Sequence, residues 1–379
     1  MSADDAPPPE PDRVQGAPHP RQTTKLLGQS QAEAIFLEAY TTGRLHHGWL
    51  ITGPRGIGKA TLAWRTARFL LAQPLQDKNS MFGDAPPAPP TIDIYPDHPI
   101  ARRMAALSEP SLFLVRRQWD EKTKRLKKDI GVDDIRKLKG FFNLSTTDGG
   151  RRVVIVDSVD ELTVNAANAL LKLLEEPPED ATLLLVSHQP SRLLPTIRSR
   201  CRELRCATLS ARDMASAMTA AGSGGAENAE ALSELSGGSV GEAVRLSNLD
   251  GMAAYGDIIG LFSTLPQLDR ARALKLAESA AGRANEARYD VLLRLFDLFL
   301  ARTARTGVTG PPIVEAAPGE AKLLQRLSGT PDAGRQWAEL QQTAGMRVRH
   351  GRAVNLDPAA LILDMIFKIN ELAAKLAVR

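Results

Sequence analysis

The sequence predicts an α/β domain built on a parallel sheet and followed by two helical parts. Three observations carry this reading. Short aliphatic and β-branched runs alternate with helical stretches: GWLIT (48–52), LFLVR (112–116), VVIVD (153–157) and TLLLVS (182–187), the alternation of a parallel sheet with crossover helices. The first run leads straight into a glycine-rich loop and then a helix. After Leu209 the strands stop, and from about Leu268 onward apolar residues recur three and four apart, as in YDVLLRLFDLFLARTA (289–304) and DPAALILDMIFKINELAAKL (357–376), the stripe of packed bundle helices.

Composition bounds the function. A chain of 379 residues with 43% hydrophobic and 24% charged residues buries a sizeable core and is neither fibrous nor globally disordered. Its length suits two or three domains. No stretch approaches the roughly 18 uninterrupted apolar residues of a spanning helix, so a soluble, cytoplasmic protein with no membrane partner is expected. The surplus of 48 Lys and Arg over 44 Asp and Glu, a net +4, is compatible with a nucleic-acid partner and far below that of a DNA-coating protein. Two cysteines, Cys201 and Cys206, are too few for a disulfide framework and lack the ligand spacing of a zinc site. No metal site is expected.

Taken in order, residues 1–22 are rich in proline and charge and poor in apolar surface, so a disordered tail is expected there. The strand at 48–52 is followed by Gly53-Pro54-Arg55-Gly56-Ile57-Gly58-Lys59-Ala60-Thr61. Such a loop needs glycines so that backbone N–H groups turn inward around phosphate oxygens, and its lysine brings positive charge to the terminal phosphates. The position after Lys59 normally supplies a hydroxyl to Mg²⁺, and here it is Ala60. Thr61 lies about 100° further round the helix. Prolines interrupt residues 80–92, which reads as an exposed inserted loop. The strand 153–157 ends in Asp157, where an acid orients a metal shell, and the glutamate that hydrolysing relatives place next is Ser158. Asp160 and Glu161 read as acids opening the following helix, at its positive end. That helix, 163–176, sets Asn165, Asn168, Lys172, Glu175 and Glu176 along one polar stripe. Mixed charges from Arg116 to Lys139 read as a solvated hairpin and helix start. His98 and His188 have no partner at metal spacing, and Trp49 and Trp64 read as packing residues.

The run NALLKLLEEPP (168–178), followed by LLLVSHQPSRLLPTIRSRC with its Ser199-Arg200-Cys201, resembles bacterial clamp-loader subunits of the AAA+ superfamily over roughly residues 25–250. The resemblance implies an α/β P-loop (AAA+) core with a parallel sheet over 23–207, a small helical lid over 208–255 and an all-α C-terminal collar domain over 256–379, by which subunits assemble into an open ring. Its partners would be other clamp-loader subunits (gamma/tau and delta types), and through them the sliding clamp and primer-template DNA. By the same resemblance Arg200 is an arginine finger acting in trans on a neighbour's nucleotide, Lys172 is a DNA-contact candidate, and Gly53, Arg55, Gly56, Gly58, Lys59, Thr61 and Asp157 form a degenerate nucleotide site. ATP is the implied cofactor, bound weakly or not hydrolysed. No zinc module is expected, because the prolines of 80–92 stand where many relatives carry cysteines.

Three departures, Ala60, Ser158 and Gly241 in place of the lid's sensor arginine, point away from hydrolysis, with Arg245 one helical turn further on. Whether the chain is itself an enzyme stays open between a non-hydrolysing assembly subunit and a self-sufficient AAA+ motor of the gamma/tau type. A small-molecule kinase has no use for the long helical C-terminus. A polymerase or exonuclease needs clustered carboxylates, and the sequence has no such constellation.

Overall fold

The computed structural model describes residues 9–74, 88–143, 150–223, 228–282 and 285–377. Most of the expected 80–92 loop lies outside the described residues. The chain forms two compact units: residues 1–222 with Ser239–Gly241, and Ser223–Gly238 with 242–379. The segment expected as a separate lid is shared between them.

In the first unit the elements run α1 (Ser30–Thr41), β1 (Gly48–Thr52), α2 (Lys59–Ala72), α3 (Pro99–Ala105), β2 (Leu112–Arg116), a short hairpin of β3 (Trp119–Asp120) and β4 (Arg125–Leu126), α4 (Val132–Asn143), β5 (Arg152–Asp157), α5 (Val164–Glu175), β6 (Ala181–Ser187), α6 (Pro195–Arg198), β7 (Arg202–Arg205) and α7 (Ala211–Ala220). Five strands form one sheet in the order β2-β5-β6-β1-β7, with every neighbouring pair parallel. Both faces are covered, which is why β1 and β6 are buried at every residue and read as continuous apolar runs. Leu50, Val154, Val156, Leu183 and Leu185 pack with Leu138 of α4 and Leu170 and Leu174 of α5. The alternate residues along the strands turn to the opposite face, where α2 packs on β5 and β6.

The fifth strand escaped the sequence reading for a physical reason. RELR (202–205) buries only Leu204, because an edge strand needs little apolar surface.

Residues 9–22 are not a disordered tail, and this expectation is corrected. The His19 and Asp12 side chains are each only 1% exposed and stand 3.1 Å apart. Arg116 reaches Asp12 at 2.6 Å and Glu10 at 2.8 Å. Buried ion pairs replace the apolar surface whose lack suggested disorder.

The second unit is helical: α8 (Ala229–Ser236), α9 (Val240–Asn248, its first residues belonging to the first unit), α10 (Gly251–Phe262), α11 (Arg270–Glu278), α12 (Glu286–Thr309), α13 (Glu320–Leu327), α14 (Pro331–Ala353) and α15 (Pro358–Ala377). The α12 and α14 helices cross at Gly307 and Gly334. A β-carbon on Gly307 would lie 2.8 Å from the Gly334 Cα, and one on Gly334 2.7 Å from the Ala304 oxygen. Elsewhere Glu320, fully buried, accepts from the Tyr255 hydroxyl at 2.6 Å, from Arg302 Nε at 2.6 Å and from the Ala316 N–H at 2.7 Å. No helix among the described residues is long and apolar enough to cross a membrane.

Candidate nucleotide site and trans-acting arginine

The loop joining β1 to α2 turns at the carboxyl edge of the sheet, where open α/β sheets bind ligands. Gly53, Gly56 and Gly58 have φ of +139°, +78° and +99°, conformations that side chains rarely adopt. A β-carbon on Gly53 would also meet the Cys206 oxygen at 2.7 Å. Gln29, 2% exposed, pins the loop by donating to the Ile57 and Ala207 carbonyls at 3.1 and 2.8 Å. Sequence reasoning missed it, since a lone glutamine carries no periodic signal.

Lys59 opens α2 and is 2% exposed. Its Nζ donates to the Gly53 oxygen at 2.7 Å and to the Pro54 oxygen, so the lysine folds onto its own loop. Burial pushes its ammonium down to about 8, against the pull of Cys206, Asp157 and Asp160. Asp157, at the end of β5 and 7% exposed, is pushed up to about 7 by burial and by the nearby acids Asp12 and Glu161, with Lys59 and Arg55 opposing. Ser158 beside it is buried, and its hydroxyl has no partner among the described residues. Arg55 is exposed, 3.9 Å from Glu161. Ala60 and Thr61 are half-buried in the first turn of α2.

The two acids after β5 do not open α5. They sit in a single 3₁₀ turn, Val159–Glu161, and Thr163 caps α5 by accepting from the Ala166 N–H. Asp160 instead accepts from Ser187 Oγ at 2.8 Å, from Gln189 N at 3.3 Å and from His188 N, tying the turn to the end of β6. Glu161 pairs with Arg117 at 2.8 Å. Both placements differ from the expectation because the partners are remote in sequence. Burial and the cations Lys59 and Arg55 hold His188 down at about 4, so its ring is neutral at physiological pH.

Gly241, where the resemblance would set a sensor arginine, packs against the loop itself. Its N–H donates to the Gly56 oxygen at 2.9 Å, and Ser239 Oγ donates to the Arg55 oxygen at 2.8 Å. A β-carbon at 241 would stand 3.0 Å from the Gly56 Cα, so this backbone leaves a side chain there little room. Arg245 belongs to the second unit and pairs with Glu242 at 3.2 Å.

Arg200 is at the other edge of the sheet. It stands two residues before β7, whose Arg202 pairs with Trp49 of β1, and its carbonyl lies 3.3 Å from where Gly48 would carry a β-carbon. The five residues of β1 span roughly 16 Å, and the phosphate loop begins at their far end. The Arg200 side chain is 36% exposed, and its guanidinium donates to the Thr196 oxygen at 3.2 Å and pairs with Glu175 at 2.9 Å.

Lys172 is exposed on α5 with Asn165, Asn168, Glu175 and Glu176, while Ala166, Ala167, Leu170 and Leu174 are buried. His98 caps α3 by accepting from the Ile100 N–H at 3.2 Å. Trp49 and Trp64 are fully buried. Burial pushes the Cys201 and Cys206 thiols up to about 12 and about 11, and inert thiols result. No group of three or more potential ligands is placed to hold a metal among the described residues.

Residues 28–210 match a family model described as DNA polymerase III, delta subunit. The chain is 40% identical over 207 residues to the DNA polymerase III subunit delta' of Pseudomonas aeruginosa, covering 53% of this chain and 55% of that one. It is 34% identical over 167 residues to the corresponding subunit of Escherichia coli, covering 44% of each. It is 32% identical over 187 residues to the gamma/tau subunit of Mycobacterium bovis, covering 48% of this chain and 28% of that one. The chain thus spans about half the length of the delta' relatives it matches, and less of gamma/tau. Among solved structures it is similar to a gamma subunit-related protein of Thermotoga maritima, with 18% identity, a TM-score of 0.39, and coverage of 89% of this chain and 99% of that one.

Proposed function

We propose that this chain, whose residues 28–210 are similar to DNA polymerase III subunits, is a clamp-loader subunit of the delta' type, which lends Arg200 to a neighbour's nucleotide and hydrolyses none itself. The observation that carries this reading is the separation of Arg200 from the chain's own phosphate loop, which lies about a strand's length away at the opposite edge of the sheet. In this reading the partly exposed guanidinium gives up its Glu175 and Thr196 partners to enter the site of an adjacent subunit. There it adds positive charge where the γ-phosphate oxygens gain negative charge, a contribution worth about 10³ to 10⁵ in rate. Ala60, Ser158 and the close approach of Gly241 to Gly56 each weigh against hydrolysis in the chain's own site. In this reading gamma/tau and delta subunits are its partners, and the assembly loads a sliding clamp onto primed DNA.

The test is steady-state ATP turnover by the reconstituted complex. Arg200→Ala is expected to assemble normally and to abolish turnover at the one site it serves, so that the total falls to what the remaining sites supply. Turnover equal to wild type would sink the proposal.

A further inference from the structure

The outer face of α2, the helix that carries Lys59, is covered by the chain's own N-terminal segment. Arg65 donates to the Thr24 oxygen, Arg68 donates to the Arg21 oxygen at 2.7 Å, and the His19 ring meets Trp64 edge-on at 6.0 Å. From there the segment turns to the carboxyl edge of the sheet. Arg116, the last residue of β2 and the register partner of Asp157, takes Asp12 at 2.6 Å and Glu10 at 2.8 Å, and Arg21 takes Glu10 at 2.6 Å. Val14 completes the path: its Cγ2 lies 3.4 Å from the point where Gly241 would carry a β-carbon, the same point that is 3.0 Å from the Gly56 Cα. Leu26, just beyond the segment, stands 2.7 Å from the corresponding point on Gly58, so the chain approaches the phosphate loop there as well.

We propose that residues 9–24 form a strap across the mouth of this chain's own nucleotide cleft and exclude nucleoside triphosphate from it. The proposal rests on reading the cleft as a degenerate nucleotide site. Two effects act together. Val14 and Gly241 take up space above Gly56 that a phosphate chain would need. Glu10 and Asp12 also neutralise Arg116 and Arg21, the cations that would draw a triphosphate in, and set two carboxylates against its charge. The strap is held by buried side chains rather than surface contacts, with the Asp12 and His19 side chains each 1% exposed, so lifting it leaves Arg116 without its partners. Nucleotide then meets only the fraction of molecules whose strap is open, and its apparent affinity falls by that fraction.

The experiment is a titration of the full chain with a fluorescent ATP analogue and Mg²⁺, followed by anisotropy. Glu10→Ala/Asp12→Ala is expected to bind the analogue at least roughly tenfold more tightly than wild type, and adding Lys59→Ala should remove the gain. Val14→Gly, which leaves the ion pairs in place, should show a smaller gain in the same direction and serves where the double variant does not fold. Wild type binding as tightly as both variants would overturn the strap. So would a lack of binding by a variant whose residues 9–24 exchange their amide hydrogens freely. Neither result bears on Arg200, which is judged by turnover of the assembled complex.

Discussion

His188 shows how a single side chain at the cleft sets a dependence on pH. Its ring is held at about 4 against an ordinary value near 6.5, so the folded state disfavours the imidazolium. The stability it contributes is fully present above about pH 6.5 and is lost as pH falls through 4. With one side half-open, the swing is at most about 3 kcal/mol and, after solvent screening, about 1–2 kcal/mol. Asp157 has the opposite sign, since its carboxyl is raised to about 7 and its contribution is present below its ordinary value and lost as pH rises through 7. Comparing His188→Gln with wild type cancels Asp157. The variant is expected to lose less stability than wild type between pH 6.5 and 4 in urea titrations, and parallel curves would refute the assignment. At this scale legibility was uneven. The glycines of the loop announced themselves, because only glycine accepts their φ values. Asp160 and Gln29 did not, because their partners Ser187 and Ala207 are distant in sequence and no local spacing encodes them.

Among the elements, those buried on both faces were the readable ones. The β1 and β6 strands are apolar at nearly every residue because helices cover both sides, and α5 separates Leu170 and Leu174 from Lys172 cleanly. The edge strand β7 was invisible because it buries one residue in four. Residues 9–22 were misread because composition counts charges but not whether they are paired. The polar stripe of α5 is a candidate DNA face, and its prediction belongs here. In a reconstituted complex, Lys172→Ala is expected to flatten the slope of log K for primed DNA against log salt by about one contact's worth, roughly 0.7–0.9. An unchanged slope would make the stripe an ordinary solvated surface.

For the whole molecule, the sequence was informative about class, a parallel α/β unit and a helical unit, and uninformative about what holds the helical unit together. Glu320 is fully buried and satisfies Arg302, Tyr255 and a backbone N–H at once, and burial with that carboxylate beside it raises the Tyr255 phenol well above its ordinary value. Glu320→Ala would leave Arg302, itself 5% exposed, with the partly exposed Glu234 at 2.6 Å as its remaining carboxylate and the Val314 oxygen at 3.0 Å. A loss of about 3–5 kcal/mol is expected, read as a lower urea midpoint of the helical signal. A loss under about 1 kcal/mol would show the network to be replaceable. The glycine crossing of α12 and α14 has a consequence of another kind. Where two backbones touch through Gly307 and Gly334, no side chain lies between them to flex or change rotamer. The two longest helices of the chain are pinned there in both axial position and rotation. Sliding or turning one helix past the other would drive backbone into backbone at that point.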